Sequence, residues 1–243
     1  MISIVKSMTL SGLQGDLIEI QTYITGGLPG FEIVGLPDVS VKEAKERVKA
    51  SIKNIGVNFP SKKIIINLAP ADKRKEGAYY DLPMAIGVLK SLNIIYKEID
   101  EKIIFVGELS LDGKINKVSG ILPICIQAME LGVKRIIIPK DNRNEATLIS
   151  GIEIIAVENL IDVIKYLNKE MDIKALEKNI NLGQLKKTKN EIDFSDVKGQ
   201  KNAKRALEIA ASGGHNCLLI GGPGARKNYD GKKGFYYTTE FDI

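Results

Sequence analysis

The chain has 243 residues, 44% of them hydrophobic and 27% charged, with a formal net charge of +5 and a pI near 9.0. This is an ordinary soluble profile with material for one large domain, or for one of usual size and a fragment. The opening "MISIVKSMTL" alternates apolar and polar residues, so no signal peptide is expected, and the apolar runs are too short to span a bilayer. Cys125 and Cys217 each sit in an apolar stretch. They read as reduced core residues and exclude a disulfide framework or a cysteine metal site. Lysine is scattered along the chain, so the basic balance permits an anionic partner without requiring one. A globular, cytoplasmic protein is expected.

In chain order, "ISIVKSMTL" and "LIEIQTYIT" are strand-like, and "FEIVGLP" is a third short strand. "DVSVKEAKERVKASIKNIG" offers Asp38 and Ser40 as N-caps, carries charges at helical spacing and closes on Gly56. "KKIIINLAP" is a strand too apolar to face water, ending at Pro70. "YDLPMAIGVLKSL" is a helix, "KIIFVGELS" one strand, and "PICIQAMELG" a helix with Pro123 in its first turn. "KRIIIP", "NEATLIS", "IEIIAV" and "NLIDVIKYLN" then alternate strand and helix, which predicts an α/β domain with a mixed sheet over residues 1–168.

Residues 169–192 are polar, lysine-rich and without a clear stripe, and read as a linker with one short helix, the alternative being a solvated amphipathic helix of the first domain. A new unit follows in "FSDVKGQKNAKRALEIAASGGHNCLLIGGPG". Lys201 to Ala211 is its helix, Gly213 and Gly214 stop it, and "NCLLI" is a short strand feeding a glycine turn. The lone histidine, His215, is read as a turn residue and not as a general base.

Charge clusters have two readings. "DKRKEG", residues 72–77, is either a contact for phosphate, DNA or a neighbouring subunit, or a solvated loop, and surface charge runs favour the loop. Asp38, Asp81 and Glu108 are isolated carboxylates with no visible partner at catalytic spacing, and helix capping accounts for Asp38.

"GFEIVGLPDVSVKEAKERVKASIKNIG", "KEGAYYDLPMAIGVL" and "VGELSLDGKINKVSGILP" together resemble the N-terminal domain of the ComM/YifB group of magnesium-chelatase-like AAA+ proteins. The resemblance implies a fold like ribosomal protein S5 domain 2 and the Lon proteolytic domain. A Ser–Lys peptidase needs a serine beside a lysine base. By position, Tyr79 falls where the Lon-type serine would be and Leu122 where the lysine would be. A phenol and an isobutyl group cannot perform that chemistry, so no catalytic residue is assigned. Ser119 and Lys117 are explained as turn residues.

The second unit resembles the entry to the AAA+ module of the same family, over residues 193–225. There a segment like "DVKGQ" lies against adenine, which implies Val197, Gly199 and Gln200 as adenine-side contacts. A phosphate loop wraps backbone N–H groups around phosphates, with a lysine for charge and a Ser/Thr hydroxyl on Mg²⁺. Gly221, Gly222, Pro223, Gly224, Ala225 and Lys227 fit that pattern, but Arg226 stands where a glycine is needed and Asn228 lacks the hydroxyl. ATP and Mg²⁺ are thus cofactors of the intact family, not expected to bind productively here, and no protein metal site is assigned.

The tail after Lys227 has no helical stripe and holds three of the eight tyrosines and two of the six phenylalanines. Back-translating from Arg226 and deleting one base permits Gly-Lys-Thr-Met-Met-Ala-Lys-Arg-Val-Ser-Thr-Ile-Leu-Pro. That restores Gly-Gly-Pro-Gly-Ala-Gly-Lys-Thr followed by an amphipathic helix, so residues 226–243 are read as a frameshifted tail. The resemblance implies a homo-hexameric, DNA-processing ATPase with helicase-like branch migration in recombination or competence. The chain ends before the acidic strand, sensor and arginine finger of such a module, so an inactive fragment is expected. The alternative is a non-catalytic DNA- or protein-binding module made of the first domain alone, with no membrane contact in either case.

Overall fold

The computed structural model describes residues 2–11, 14–177, 199–213, 215 and 217. It divides into two units, Met1–Ile180 and Asn181–Ile243. The first begins with β1 (Ile2–Ser11), β2 (Gln14–Thr25), β3 (Gly30–Val34), α1 (Val39–Asn54) and β4 (Lys63–Ala69). A 3-10 turn, Ala78–Tyr80, leads into α2 (Asp81–Ser91), followed by β5 (Ile103–Phe105), β6 (Glu108–Leu109), β7 (Ile115–Asn116) and α3 (Ile121–Glu130). The unit closes with β8 (Arg135–Pro139), the short α4 (Arg143–Ala146), β9 (Glu153–Val157) and α5 (Leu160–Leu167).

The expected mixed sheet is present, with seven strands in the order β3-β4-β2-β1-β5-β8-β9, beside a two-stranded β6-β7 ribbon. β1 and β2 form a long antiparallel hairpin with Ile2 opposite Tyr23, and β4 runs antiparallel to β2. β3 joins β4 in parallel at one end, and β5, β8 and β9 are parallel at the other.

Side-chain alternation along each strand divides the interior in two. Val5, Ile18, Ile20, Ile64, Ile66 and Leu68 point to one face, where α1, α2 and α5 bury Val48, Ile52, Leu82, Ile86 and Val163 against them. On the other face Met8, Ile104, Val106, Ile136 and Ile138 pack under α3 through Ile121, Ile124, Cys125 and Ala128. Burial pushes the Cys125 thiol up to about 12, which makes it an inert core group.

Four expectations need correction. "KIIFVGELS" is not one strand: Gly107 separates β5 from β6, its N–H donating to the Tyr79 carbonyl and its carbonyl accepting from Leu82 N–H, each at 3.0 Å. β4 is not shielded on both sides, since Ile65 and Asn67 are half-exposed while Ile64, Ile66 and Leu68 are buried; α3 packs against β1 and β2. "NEATLIS" is helical only at its start, through α4. Cys217 is exposed and not a core residue; the apolar residues after it, 218–220, lie outside the described residues.

In the second unit α6 spans Lys201–Ser212, burying Leu207, Ala210 and Ala211, which share a face at helical spacing. His215 N–H bonds the Ala210 carbonyl at 2.8 Å, closing the helix end as its turn reading requires.

At Gly87, α2 lies against the sheet with no room for a side chain. A Cβ there would lie 2.4 Å from Thr22 Oγ1, and the Gly87 carbonyl accepts from Ser3 Oγ at 2.7 Å. Gly87→Ala gains about 1 kcal/mol of helix propensity, but overpacking costs about 1–3 kcal/mol. The clash is with a buried strand side chain, so the penalty wins. The urea midpoint is expected to fall; a midpoint at or above that of the unaltered chain contradicts this packing account.

Candidate functional site

The three sequence blocks that carry the family resemblance meet where α1 and α2 begin and β6 passes between them. Asp38 is the N-cap of α1, as its position implies: Oδ1 accepts from Val41 N–H at 2.7 Å. Its Oδ2 accepts from Gly77 N–H at 3.3 Å, which attaches the 72–77 loop to the same cap. The strap is reinforced by Asp38 N–H to the Lys75 carbonyl at 3.0 Å and Lys75 N–H to the Leu36 carbonyl at 3.2 Å. Gly77 adopts φ +87°, and a Cβ on it would meet the Tyr79 ring at 2.8 Å, so glycine is required.

Asp81 is the central charge. Its side chain is 0% exposed, because the first turn of α2 lies among Tyr80, Leu82 and Met84, all buried. Arg47, from the middle of α1, reaches it with two N–H groups, Nε to Oδ2 at 2.6 Å and Nη2 to Oδ1 at 3.0 Å. A second bond from Nη2 to the Ser40 carbonyl at 3.1 Å fixes the guanidinium, and Leu109 N–H in β6 donates to Oδ2 at 3.2 Å. One carboxylate thus ties α1, α2 and the ribbon together. Burial pushes the Asp81 carboxyl above its ordinary value, against the opposing pull of Arg47 and Leu109 N–H. The bond to Asp81 in turn raises Arg47. The reading of Asp81 as a carboxylate without a partner is therefore corrected: its partner is a cation 34 residues earlier.

The 72–77 cluster is not simply a solvated loop. Lys75 is fully buried, its Nζ donating to the Lys73 carbonyl at 2.7 Å and to the Pro70 carbonyl. Burial lowers its pKa. Lys73 pairs with Asp16, and Arg74 with Glu76 at 3.1 Å. The Lys75 charge is spent within the protein and Lys73 is held by Asp16, while Arg74 and Glu76 stay exposed as a weak surface pair.

The two positions at which the Lon-type resemblance would put a serine and a lysine hold Tyr79 and Leu122. The Tyr79 ring packs on Tyr80 with centroids 4.6 Å apart. Burial raises the Tyr80 phenol well out of the working range. Leu122 lies in the first turn of α3, and its N–H donates to Glu145 Oε1 at 2.9 Å. A carboxylate of the chain itself thus satisfies one of the free N–H groups at the start of α3. Ser119 and Lys117 are exposed, as turn residues are expected to be. Among the described residues no group of three His, Cys, Asp or Glu side chains is placed to hold a metal ion.

Of the nucleotide-side residues, Val197, Gly221, Gly222, Pro223, Gly224, Ala225 and Lys227 lie outside the described residues. Gly199 and Gln200 have left-handed backbones, φ +77° and +52°, and are exposed immediately before α6.

Family models match twice: "Subunit ChlI of Mg-chelatase" over residues 20–142 and "Magnesium chelatase, subunit ChlI" over residues 193–232. The chain is 39% identical over 227 residues to competence protein ComM of Haemophilus influenzae and 42% identical over 227 residues to YifB of Escherichia coli. In both cases 93% of this chain is covered but only 44% of the relative, so the chain spans less than half of their length. It is also 29% identical over 183 residues to Lon protease 2 of Bacillus subtilis, covering 67% of this chain and 32% of that one. The chain belongs to the ComM/YifB family of magnesium-chelatase-like AAA+ proteins.

Removing Arg47 leaves Asp81 buried without its cation. Breaking such a pair costs about 3–5 kcal/mol; with Arg47 22% exposed and water able to reach it, the lower end is expected. In Arg47→Met the carboxyl pKa climbs further above its unfolded value, so the native state holds more protons than the unfolded one between those two values. Stability then falls as pH rises through that window. Denaturant unfolding should show a penalty of about 3 kcal/mol at pH 7 that shrinks on acidification. A pH-independent penalty would mean that Asp81 does not carry the effect.

Proposed function

We propose that the chain is the amino-terminal part of an ATP-dependent DNA-processing protein, with the first domain serving as a non-catalytic binding module. The observation that carries this reading is the pair of ChlI matches in order, 20–142 and 193–232, together with the relation to a competence protein. In this reading residues 1–168 form a domain like ribosomal protein S5 domain 2 and the Lon proteolytic domain. Residues 169–192 are a linker, 193–225 the start of the AAA+ module, and 226–243 the frameshifted tail. The likeness to Lon protease 2 supports the fold, while Tyr79 and Leu122 argue against its chemistry.

ATP bound by an intact module of this kind supplies the phosphoryl group whose hydrolysis drives work on DNA. Gly221, Gly222 and Gly224 are the residues of this chain suited to backbone contact with phosphate, and Lys227 to charge neutralisation. Arg226 and Asn228 do not fit: one brings a Cβ where close approach is required, and the other lacks the hydroxyl for Mg²⁺. No hydrolytic step is assigned to this chain. Assembly into a homo-hexamer belongs to the intact family.

A steady-state assay of the 243-residue chain should show no ATP turnover; activity above background that vanishes in Lys227→Ala would refute the proposal for the nucleotide site. Sequencing the locus decides the tail, because an intact frame with no shifted continuation of the module downstream rules out the frameshift. DNA binding is read by gel shift of the full chain, where a complex that weakens steeply with salt is expected. No shift at low salt dismisses DNA as the partner.

A further inference from the structure

The solvent side of α1 carries lysines that have no ion pair among the described residues. Lys45, Lys49 and Lys53 recur every four residues, so they share one face of the helix about 6 Å apart along its axis. All three are exposed. They line a groove of about 280 Å³ whose other side is Pro29–Phe31 and residues 59–62. Lys62 adds a fourth ammonium from that side, and Glu46 is the lone acid in the groove. Lys63, by contrast, is paired with Glu32 at 3.0 Å. Among the described residues none of Lys45, Lys49, Lys53 and Lys62 has an ion pair.

The groove also has an aromatic element. Phe31, at the start of the edge strand β3, and Phe59, in the loop between α1 and β4, stack with centroids 6.1 Å apart and planes 15° from parallel. Both are only partly buried and both line the groove. A row of cations at roughly the separation of successive phosphates, beside apolar ring surface, combines the two features that hold single strands. The backbone is tracked by charge and the bases by flat apolar contact. An acidic peptide would satisfy the lysines but leave the rings without a flat partner.

We infer that the groove between α1 and the β3–β4 edge, lined by Lys45, Lys49, Lys53, Lys62, Phe31 and Phe59, binds single-stranded nucleic acid. This deepens the DNA reading proposed above and rests on it. It also moves the contact away from the 72–77 cluster, where Lys75 is buried, Lys73 is held by Asp16 and Arg74 lies beside Glu76.

The test is fluorescence anisotropy of a labelled homothymidine oligonucleotide with the full chain across a salt series. Each neutralised phosphate contributes roughly 0.7 to the slope of log affinity against log salt for a single strand. The K45Q/K49Q/K53Q variant should therefore bind at least about tenfold more weakly at low salt, with a slope shallower by about 2. These side chains are exposed, and glutamine is a good helix former, so circular dichroism should be unchanged. Lys62→Gln repeats the test from the loop side. K102Q/K134Q/K165Q, exposed positions outside the groove, removes the same charge and should leave binding within about twofold. If both triple variants weaken binding equally, diffuse charge is responsible and the groove assignment is overturned. If the groove variant binds like the parent, the assignment fails while the DNA reading survives; if the parent itself does not bind, both fail. Displacement of the oligonucleotide by polyglutamate as readily as by unlabelled oligonucleotide would overturn the choice of nucleic acid.

Discussion

A single buried carboxylate sets the geometry of the first unit. Asp81 opens α2, a helix buried from Asp81 to Leu89, and an acid there is intolerable without compensation. Arg47 supplies it in bidentate form, and Leu109 N–H takes a further lone pair. Because the three donors and acceptors come from α1, α2 and β6, satisfying one charge determines the relative placement of three elements. An apolar residue at 81 could fill the space but would not specify which turn of α1 must face it. The directional bond does, and the register of α1 over the sheet follows from it.

The loop before α2 obeys the same logic. It has to return from β4 to the helix start without leaving backbone groups unpaired, and it does so by lying against residues 36–38. Lys75 folds inward and spends its ammonium on carbonyls of its own loop. The stretch that looks most like a surface charge run is therefore partly interior. Its cation bridges peptide groups that would otherwise lack donors, which explains how a lysine tolerates full burial without a carboxylate in bonding contact.

Much of this was legible in the sequence, and the exceptions have physical causes. Alternation fixed β1 and β2, and capping chemistry fixed α1 at Asp38, because these signals are local. The break at Gly107 was hidden because the apolar run "IIFV" and the alternating "ELS" both look like strand, and only long-range bonds to Tyr79 and Leu82 show that the chain leaves the sheet there. β4 looked doubly buried because isoleucine marks strand preference as well as burial. The Arg47–Asp81 pair spans 34 residues and has no spacing rule. Yet a signal existed: an aspartate heading a helix as apolar as "LPMAIGVL" demands a cation, although the sequence offers several nearer than Arg47 and does not single it out. Conversely, the glycine turn at 221–224 was conspicuous in sequence and lies outside the described residues.

The division of labour within α1 links support and recognition. Arg47 turns toward the protein interior and is half-buried, while Lys45, Lys49 and Lys53 on the same helix are exposed. Both sets depend on the helix keeping one rotation about its axis. A rotation that carried Arg47 off Asp81 would also swing the lysines out of the groove formed with Phe31 and Phe59. The buried pair therefore acts as a positioning device for the outer face: it locks the rotation of α1, and the loop that follows brings Phe59 and Lys62 to the opposite wall.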